Sequence, residues 1–421
     1  IILSSLISIY PHQCLWQSIA VYRDTPQAKS TSLRQERCKK ILEHAKQKNK
    51  DVGDLVDQYD YVACQLIAIA EKKCSQQTFK GLSEMSKELA AFFRKGEMNT
   101  AQLVSASKGR LSGGALRVIK PRVMLPLTEM MEHAMPVANE VKIESSQIDM
   151  ESAASLHEQP MLQEVFVKDI VEDFLVLQSL QKPKKISLRG TDGRVYSLMC
   201  KGGDEMRKDA RFMDFSRMMN CLMRRSPEAR RRQLCVRTYS VIPLQNRGGI
   251  IEWIPNLDTF RGSLSSLFDE YAGKRTTDNE LRSNWDDGWP WEKKLISMRD
   301  FFYDRFPLVC AEWLRRAFPD PCSWHAARQI FSRSCSVMSM IGFVLGLGDR
   351  HADNMLVDQT DGCIIHVDFN LLFDKGEGLR VPEIVPFRLT RNLVDGFGPT
   401  GVEGTFRKAA EATIEVGLVC D

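Results

Sequence analysis

The stretch that most constrains this chain is "GLGDRHADNMLVDQTDGCIIHVDFN", residues 346–370. Asp349 and Asn354 stand five positions apart, and Asp368 follows Asn354 by fourteen, closing the apolar run of "IIHVDFN". A strand of that kind brings a carboxylate back shortly after a loop that already holds a carboxylate and an amide. Oxygen ligands of this type suit a hard divalent cation such as Mg²⁺. Taken singly, each piece has a bland explanation: Asp-Arg-His is most often a surface ion-pair cluster, and Asp-Phe a strand end. At these intervals, with a buried-looking strand between them, they point to one working site.

The interval from Asp349 to Asn354 is that of the catalytic loop of protein kinases, with the histidine moved from before the aspartate to after it. Phosphoryl transfer needs little covalent help. It needs charge to neutralise the phosphates and a carboxylate beside the attacking hydroxyl. On that pattern Asp349 takes or orients the hydroxyl proton, and Asn354 and Asp368 are the metal ligands. His351 stabilises charge near the transferred group. Lys201 ends the strand "VYSLMC" where a phosphate-pairing lysine belongs, and Asp209, eight residues on, is the acid expected to hold it. No glycine-rich loop precedes them. Gly346-Leu347-Gly348 comes in the wrong place, so the hairpin entry "LQSLQKPKK" (177–185) is expected to cover the phosphates, with Ser179, Lys182, Lys184 and Lys185 as donors.

The 421 residues suffice for two or three domains. Residues 1–95 read as helical: "QERCKKILEHAKQ" puts Cys38, Ile41, Leu42 and Ala45 on one face, "SEMSKELAAFFRKG" does the same with Met85, Leu89 and Phe92, and Gly96 is a helix stop. The apolar opening "IILSSLISIY" reads as a core helix. Residues 96–160 read as linker and irregular chain, glycine-rich and basic at 106–122, polar and mildly acidic at 138–160. After Pro160 come a hairpin turning at Thr191-Asp192-Gly193, a helix, a second helix opening at Ser226-Pro227-Glu228, and the strands "VRTYSVIPL" and "GIIEWIP". Helices follow from about 260 to 345, and "WDDGWPWEKK" (285–294) reads as an exposed loop. That order is α+β and two-lobed, with 161–254 as the smaller, sheet-bearing lobe and 255–421 as the larger, incomplete one.

A net charge of +4 does not argue for direct nucleic-acid binding, and "SPEARRRQ" reads as a solvated helix face. Twelve scattered cysteines show no zinc-type spacing and read as reduced, mostly buried residues. No apolar run is long enough to span a membrane. The chain opens on Ile1, as a piece of a longer protein would.

"GDRHADN", "HVDFN", "LMCKGGDEMRKDARFMDF" and "VPEIVPFRLTRN" together resemble the phosphatidylinositol 3-kinase-related protein kinases over roughly 175–415. Residues 1–95 are similar to the end of the helical FAT region that precedes the kinase in that family. The resemblance implies ATP with Mg²⁺, or Mn²⁺ in its place, as cofactors. It implies an adenine pocket of Tyr239, Ile251, Trp253 and Ile254, with Ile254 at the interlobe hinge, completed by Leu177, Met199, Leu356 and Val367. It further implies protein substrates at Ser or Thr followed by Gln, an obligate partner protein, indirect recruitment to coated single-stranded DNA, a dimer of heterodimers, a nuclear location, and further C-lobe helices with a FATC segment after Asp421. Two other readings stand beside it. A lipid kinase shares the Asp-Arg-His loop, but "DKGEGLRVPEIVPF" (374–387) carries Asp374, Glu377 and Glu383 against Lys375 and Arg380, net negative by one and a poor phosphoinositide site. A catalytically inactive scaffold would keep the fold without turnover, and the complete set of catalytic side chains argues against it.

Overall fold

The computed structural model describes residues 2–23, 29–72, 78–99, 116–132, 164–177, 181–379 and 382–418. It divides into two units, Ile1–Met213 with Tyr239–Ile254, and Asp214–Thr238 with Pro255–Asp421. The sequence placed its divisions at 95/96, 160/161 and 254/255.

The first unit joins helices to a two-stranded and a five-stranded antiparallel sheet. Helices Ile2–Ile9, Pro11–Tyr22, Lys29–Lys48, Lys50–Glu71 and Thr78–Lys95 come first. The last ends where the chain turns left-handed at Gly96 (φ 72°), a conformation glycine adopts without steric penalty. The opening helix is not the core helix expected. Ile7 is buried, but Ile2, Leu3 and Ile9 are 78%, 58% and 56% exposed, because apolar residues surround it while only one face is packed.

Short strands β1 (Glu97–Asn99) and β2 (Leu116–Val118) pair antiparallel, and a helix follows at Thr128–Glu132. The sequence left 96–160 irregular, whereas Val123, Met124 and Leu125 are fully buried. Trp16 Nε1 donates to Met124 O at 2.8 Å, and Met124 N donates to the Tyr59 hydroxyl at 3.1 Å. These bonds come from partners 65 or more positions away, and no local pattern announces them. Residues 133–160 lie outside the described residues.

The five-stranded sheet runs in the order β3 (Val167–Val176), β4 (Lys184–Gly190), β5 (Val195–Gly202), β7 (Gly248–Glu252), β6 (Val241–Gln245). The β4–β5 hairpin closes as expected. Gly190 N donates to Arg194 O at 2.8 Å, and Gly193 takes φ 83°. Strand β6 begins at Val241, five residues later than "VRTYSVIPL" suggested. One face of the sheet (Ile186, Leu198, Cys200, Ile250) is buried in a single core with Trp16, Tyr59, Leu66 and Phe92 of the helices. Alternation along a strand then turns Met199 and Lys201 to the other, half-buried face. Burial pushes the Cys200 thiol up to about 12, so it packs as a small apolar residue.

The second unit is helical around a small sheet, β10 (Ile364–His366), β9 (Met355–Asp358), β8 (Leu257–Thr259). Its core gathers Phe260, Trp313, Phe331, Val357, Ile364, Leu393, Phe397 and Phe406. The long helix Pro321–Val344 is capped by Asp320, whose carboxylate accepts from Ser323 N at 2.8 Å, with proline in the first turn. The helix stops in a Schellman arrangement: Leu347 N donates to Gly342 O at 2.8 Å, Gly346 N donates to Phe343 O at 3.2 Å, and Gly346 has φ 53°. Gly346 is thus a helix terminator, and the G-x-G at 346–348 covers no phosphate of its own. The expected loop at 285–294 is in part helix, since Trp291–Ser297 is helical, and Trp285 stacks edge-on against Phe302 at 5.7 Å. Buried Asp358 accepts from Arg237 Nη1, which ties the 214–238 segment to β9.

Candidate active site

In the second unit the Schellman turn feeds directly into the loop 348–354. Asp349 (φ 57°) and Asp368 (φ 60°) both sit in the left-handed region, which aspartate tolerates better than most residues. Asn354 Nδ2 donates to Asp349 O at 2.9 Å, Asn354 N donates to His351 O at 2.9 Å, and Val367 N donates to Asn354 O at 3.0 Å. The Asn354 side chain is therefore pinned through its nitrogen, which leaves Oδ1 as its acceptor. Asp368 Oδ1 accepts from Asn370 Nδ2 at 2.6 Å. His351 Nδ1 accepts from Asp353 N at 3.2 Å, so the proton of the neutral ring is on Nε2, which faces Asp349 Oδ1 at 3.8 Å.

The residue between Asp349 and His351, unassigned from sequence, organises the rest. Arg350 is 7% exposed. It donates from Nε to Gly348 O at 2.8 Å, from Nη1 to Val367 O at 2.8 Å, and from Nη2 to Asp368 O. Its guanidinium also lies 5.6 Å from the centroid of Phe369, which is fully buried. One side chain thus fastens the backbone before Asp349 to the backbone at Asp368. Burial and the Arg350 cation together hold His366 down to about 3, so this buried ring is neutral.

Leu356 and Val367, half-buried, lie on and just after strands β9 and β10, where Ile365 pairs with Leu356. The donor set fits a magnesium ion: Asp368 and Asn354 offer hard oxygens. No group of three or more His, Cys, Asp or Glu side chains that could hold a metal occurs among the described residues. A cation held by one or two protein oxygens, with phosphate and water completing its octahedron, is the usual state of protein-bound Mg²⁺.

In the first unit Lys201 Nζ pairs with Asp204 Oδ2 at 2.6 Å, both side chains largely buried at 18% and 15% exposed. Asp204 was not singled out from sequence; Asp209, which was, is buried in the first turn of helix Arg207–Arg225. Met199 pairs with Ile251 across β5 and β7, and Lys201 pairs with Gly249 two residues along, so the lysine and the two apolar side chains share a face. Trp253 and Ile254 are half-buried and Tyr239 is buried. Leu177 N donates to Pro183 O at 2.9 Å at the hairpin entry, Lys182 is exposed with φ 45°, and Ser179 lies outside the described residues.

Two of the lysines expected on phosphate are used otherwise. Lys184 is 2% exposed, and its ammonium donates to Ala70 O at 2.6 Å, near the end of helix Lys50–Glu71. The strand's alternation turned it inward, onto a helix C-terminus that attracts a cation. Lys185 Nζ stands 4.7 Å above the Trp253 ring, a cation–π contact.

The family described as phosphatidylinositol 3- and 4-kinase matches residues 195–417. The chain belongs to that family. It is 34% identical to protein kinase rad3 of Schizosaccharomyces pombe and 31% identical to serine/threonine-protein kinase ATR of Drosophila melanogaster, each over 99% of this chain. It is 44% identical over 58% of its length to serine/threonine-protein kinase MEC1 of Eremothecium gossypii. The chain spans only 16%, 15% and 10% of those relatives. Among solved structures the open conformation of CtTel1 matches at TM-score 0.74 over 99% of this chain and 14% of that one, at 24% identity, a likeness of fold. Within the family the chain is ATR-like, as the relatives and the stretches "MCK…RKD", "RTYSVIPL", "GIIEWIPN", "FPDPCSW" and "DFNLLFDKGE" indicate.

Proposed function

We propose that this chain is the catalytic region of a serine/threonine protein kinase that transfers the γ-phosphoryl group of Mg-ATP to Ser or Thr followed by Gln, in DNA-damage and replication-stress checkpoint signalling. The observation that carries the reading is the fastening of Asp349, Asn354 and Asp368 into one constellation by Asn354 Nδ2 and the three donors of Arg350. Asp349 orients the substrate hydroxyl and accepts its proton. Asn354 and Asp368 hold the metal, and Mg-ATP when bound supplies the phosphoryl group and the charge that neutralises it. His351 donates from Nε2 toward the transferred group, and Lys201, oriented by Asp204 and Asp209, pairs with phosphate. Met199, Ile251, Trp253, Ile254, Tyr239, Leu177, Leu356 and Val367 line the adenine.

The relatives, protein kinases by name, support protein over lipid as substrate, and so does the net negative charge of 374–387. We extend the same reading to an ATRIP-type obligate partner, to indirect recruitment to coated single-stranded DNA, to a dimer of heterodimers, and to the nucleus. Among the described residues no helix is long and apolar enough to cross a membrane. The test is a direct comparison in the intact protein of phosphate transfer to Ser-Gln peptides and to phosphatidylinositol. Peptide turnover without lipid turnover is expected; lipid turnover without peptide turnover would reverse the assignment.

A further inference from the structure

Glu383 lies 34 positions beyond Asp349, yet its Oε1 accepts the Asp349 backbone N–H at 2.8 Å. Its own N–H donates to Gly376 O at 3.1 Å. The second carboxylate oxygen fills a slot that two glycines leave open. A Cβ on Gly348 would fall 2.3 Å from Oε2, and a Cβ on Gly376 would fall 2.1 Å from it. The surrounding residues face the other way: Ile384 and Val385 are 91% and 65% exposed, and Pro382 and Pro386 are exposed as well. Glu383 alone of residues 382–386 turns inward.

The contact falls on a strained residue. Asp349 has φ 57°, and its carbonyl is already taken by Asn354 Nδ2. A left-handed aspartate carries a modest backbone cost, which contacts on its N–H and C=O offset. Here both sides of its backbone are held, the C=O by an amide from within the loop and the N–H by a carboxylate from the segment that follows Asp368. A charge-assisted hydrogen bond from backbone N–H to carboxylate is among the stronger ones available.

We propose that Glu383 is a positioning residue for phosphoryl transfer, clamping the Asp349 backbone so that the catalytic loop is correctly set only when Gly376 and residues 382–387 are in place. The proposal rests on the kinase reading above. The placement of residues 382–387 and the aim of the Asp349 carboxylate then become one event, because the Glu383 carboxylate belongs to both.

The experiment measures kcat, and KM for ATP and for peptide, in the intact protein carrying Glu383→Ala, Glu383→Gln, Gly376→Ala, or Gly376→Ala with Glu383→Ala. Asp349→Ala serves as the reference, and the melting temperature of each variant is taken. Glu383→Ala should lower kcat roughly ten- to hundredfold with KM for ATP within about threefold. Glu383→Gln keeps an oxygen for the same N–H and should restore most of that loss. Gly376→Ala should act like Glu383→Ala, and the double variant should be no worse than either single one, since the added methyl no longer meets a carboxylate. Wild-type kcat in Glu383→Ala, additive losses in the double variant, or a lowered melting temperature with unchanged kcat would each overturn the proposal while Asp349→Ala stays inactive. Full activity in Asp349→Ala would overturn the kinase reading itself and the positioning role with it.

Discussion

Replacing Arg350 by lysine keeps a positive charge in the same buried place and removes its shape. The guanidinium reaches three carbonyls, at Gly348, Val367 and Asp368, from three different nitrogens. An ammonium on a lysine stem is a compact point donor and cannot span that set. Two of the three bonds are lost at best, and a hydrogen bond from a charged donor contributes ~1.5–3 kcal/mol. Part of that is recovered where water or backbone relaxation reaches the freed carbonyls, so a local cost of about 3 kcal/mol is expected. The cost falls on the joint between the backbone before Asp349 and the backbone at Asp368, where a misplacement of about 1 Å can lower a rate ~100-fold. Arg350→Lys should therefore lower kcat on a Ser-Gln peptide by about two orders of magnitude, with KM for peptide within a few-fold. Hydrogen exchange supplies the structural readout. The amides of Gly348 and Val367, bonded to Leu371 O at 2.9 Å and Asn354 O at 3.0 Å, should lose protection, while amides of the helix Pro321–Val344 keep theirs. Wild-type kcat and unchanged protection at those two amides would refute the reasoning, because the three-way fastening would then carry nothing.

His12 is 4% exposed, and its Nδ1 lies 2.9 Å from the Tyr59 hydroxyl. That hydroxyl also accepts the Met124 N–H. Burial first, and the Arg122 cation second, hold the ring down to about 4. A histidine whose folded value lies below the unfolded ~6.5 costs stability as pH falls through that upper value, here about 1.4 kcal/mol between pH 7.5 and 5.5. Urea titrations at the two pH values should show that loss in the wild type and little of it in His12→Asn; equal losses in both would contradict the assignment. Gly346→Ala places a Cβ 2.5 Å from Asp374 N on a residue with φ 53°, and should lower stability by ~2–4 kcal/mol in a thermal unfolding measurement. A change below ~0.5 kcal/mol would show that the helix terminator relaxes freely.

Much of this was legible in the sequence where the determinant is local. The Asp349–Asn354 interval, the terminating Gly96, the turn at Gly193 and the cap at Ser226, whose hydroxyl accepts from Ala229 N at 3.3 Å, are each set within a few residues. The sequence could not place contacts whose partners are far along the chain. Met124 is buried because Trp16 and Tyr59 meet it, and nothing within 106–122 or just beyond indicates that. Lys184 reads as a phosphate donor until helix Lys50–Glu71 is seen to end against it. Lys201 found Asp204 three residues on, where the kinase analogy had pointed only to Asp209. Arg350 stood in plain view between two residues given roles, but its work depends on carbonyls 17 and 18 positions later, on the far side of a strand pair.

The most direct test of the central claim is phosphate transfer to a Ser-Gln peptide by the intact protein carrying Asp349→Ala or Asp368→Ala, with partner association measured in parallel. Both variants should lose transfer to background while still associating, because the half-exposed Asp349 and Asp368 at the close of β10 act on substrate and metal rather than in the core. Full activity in either variant would contradict the claim.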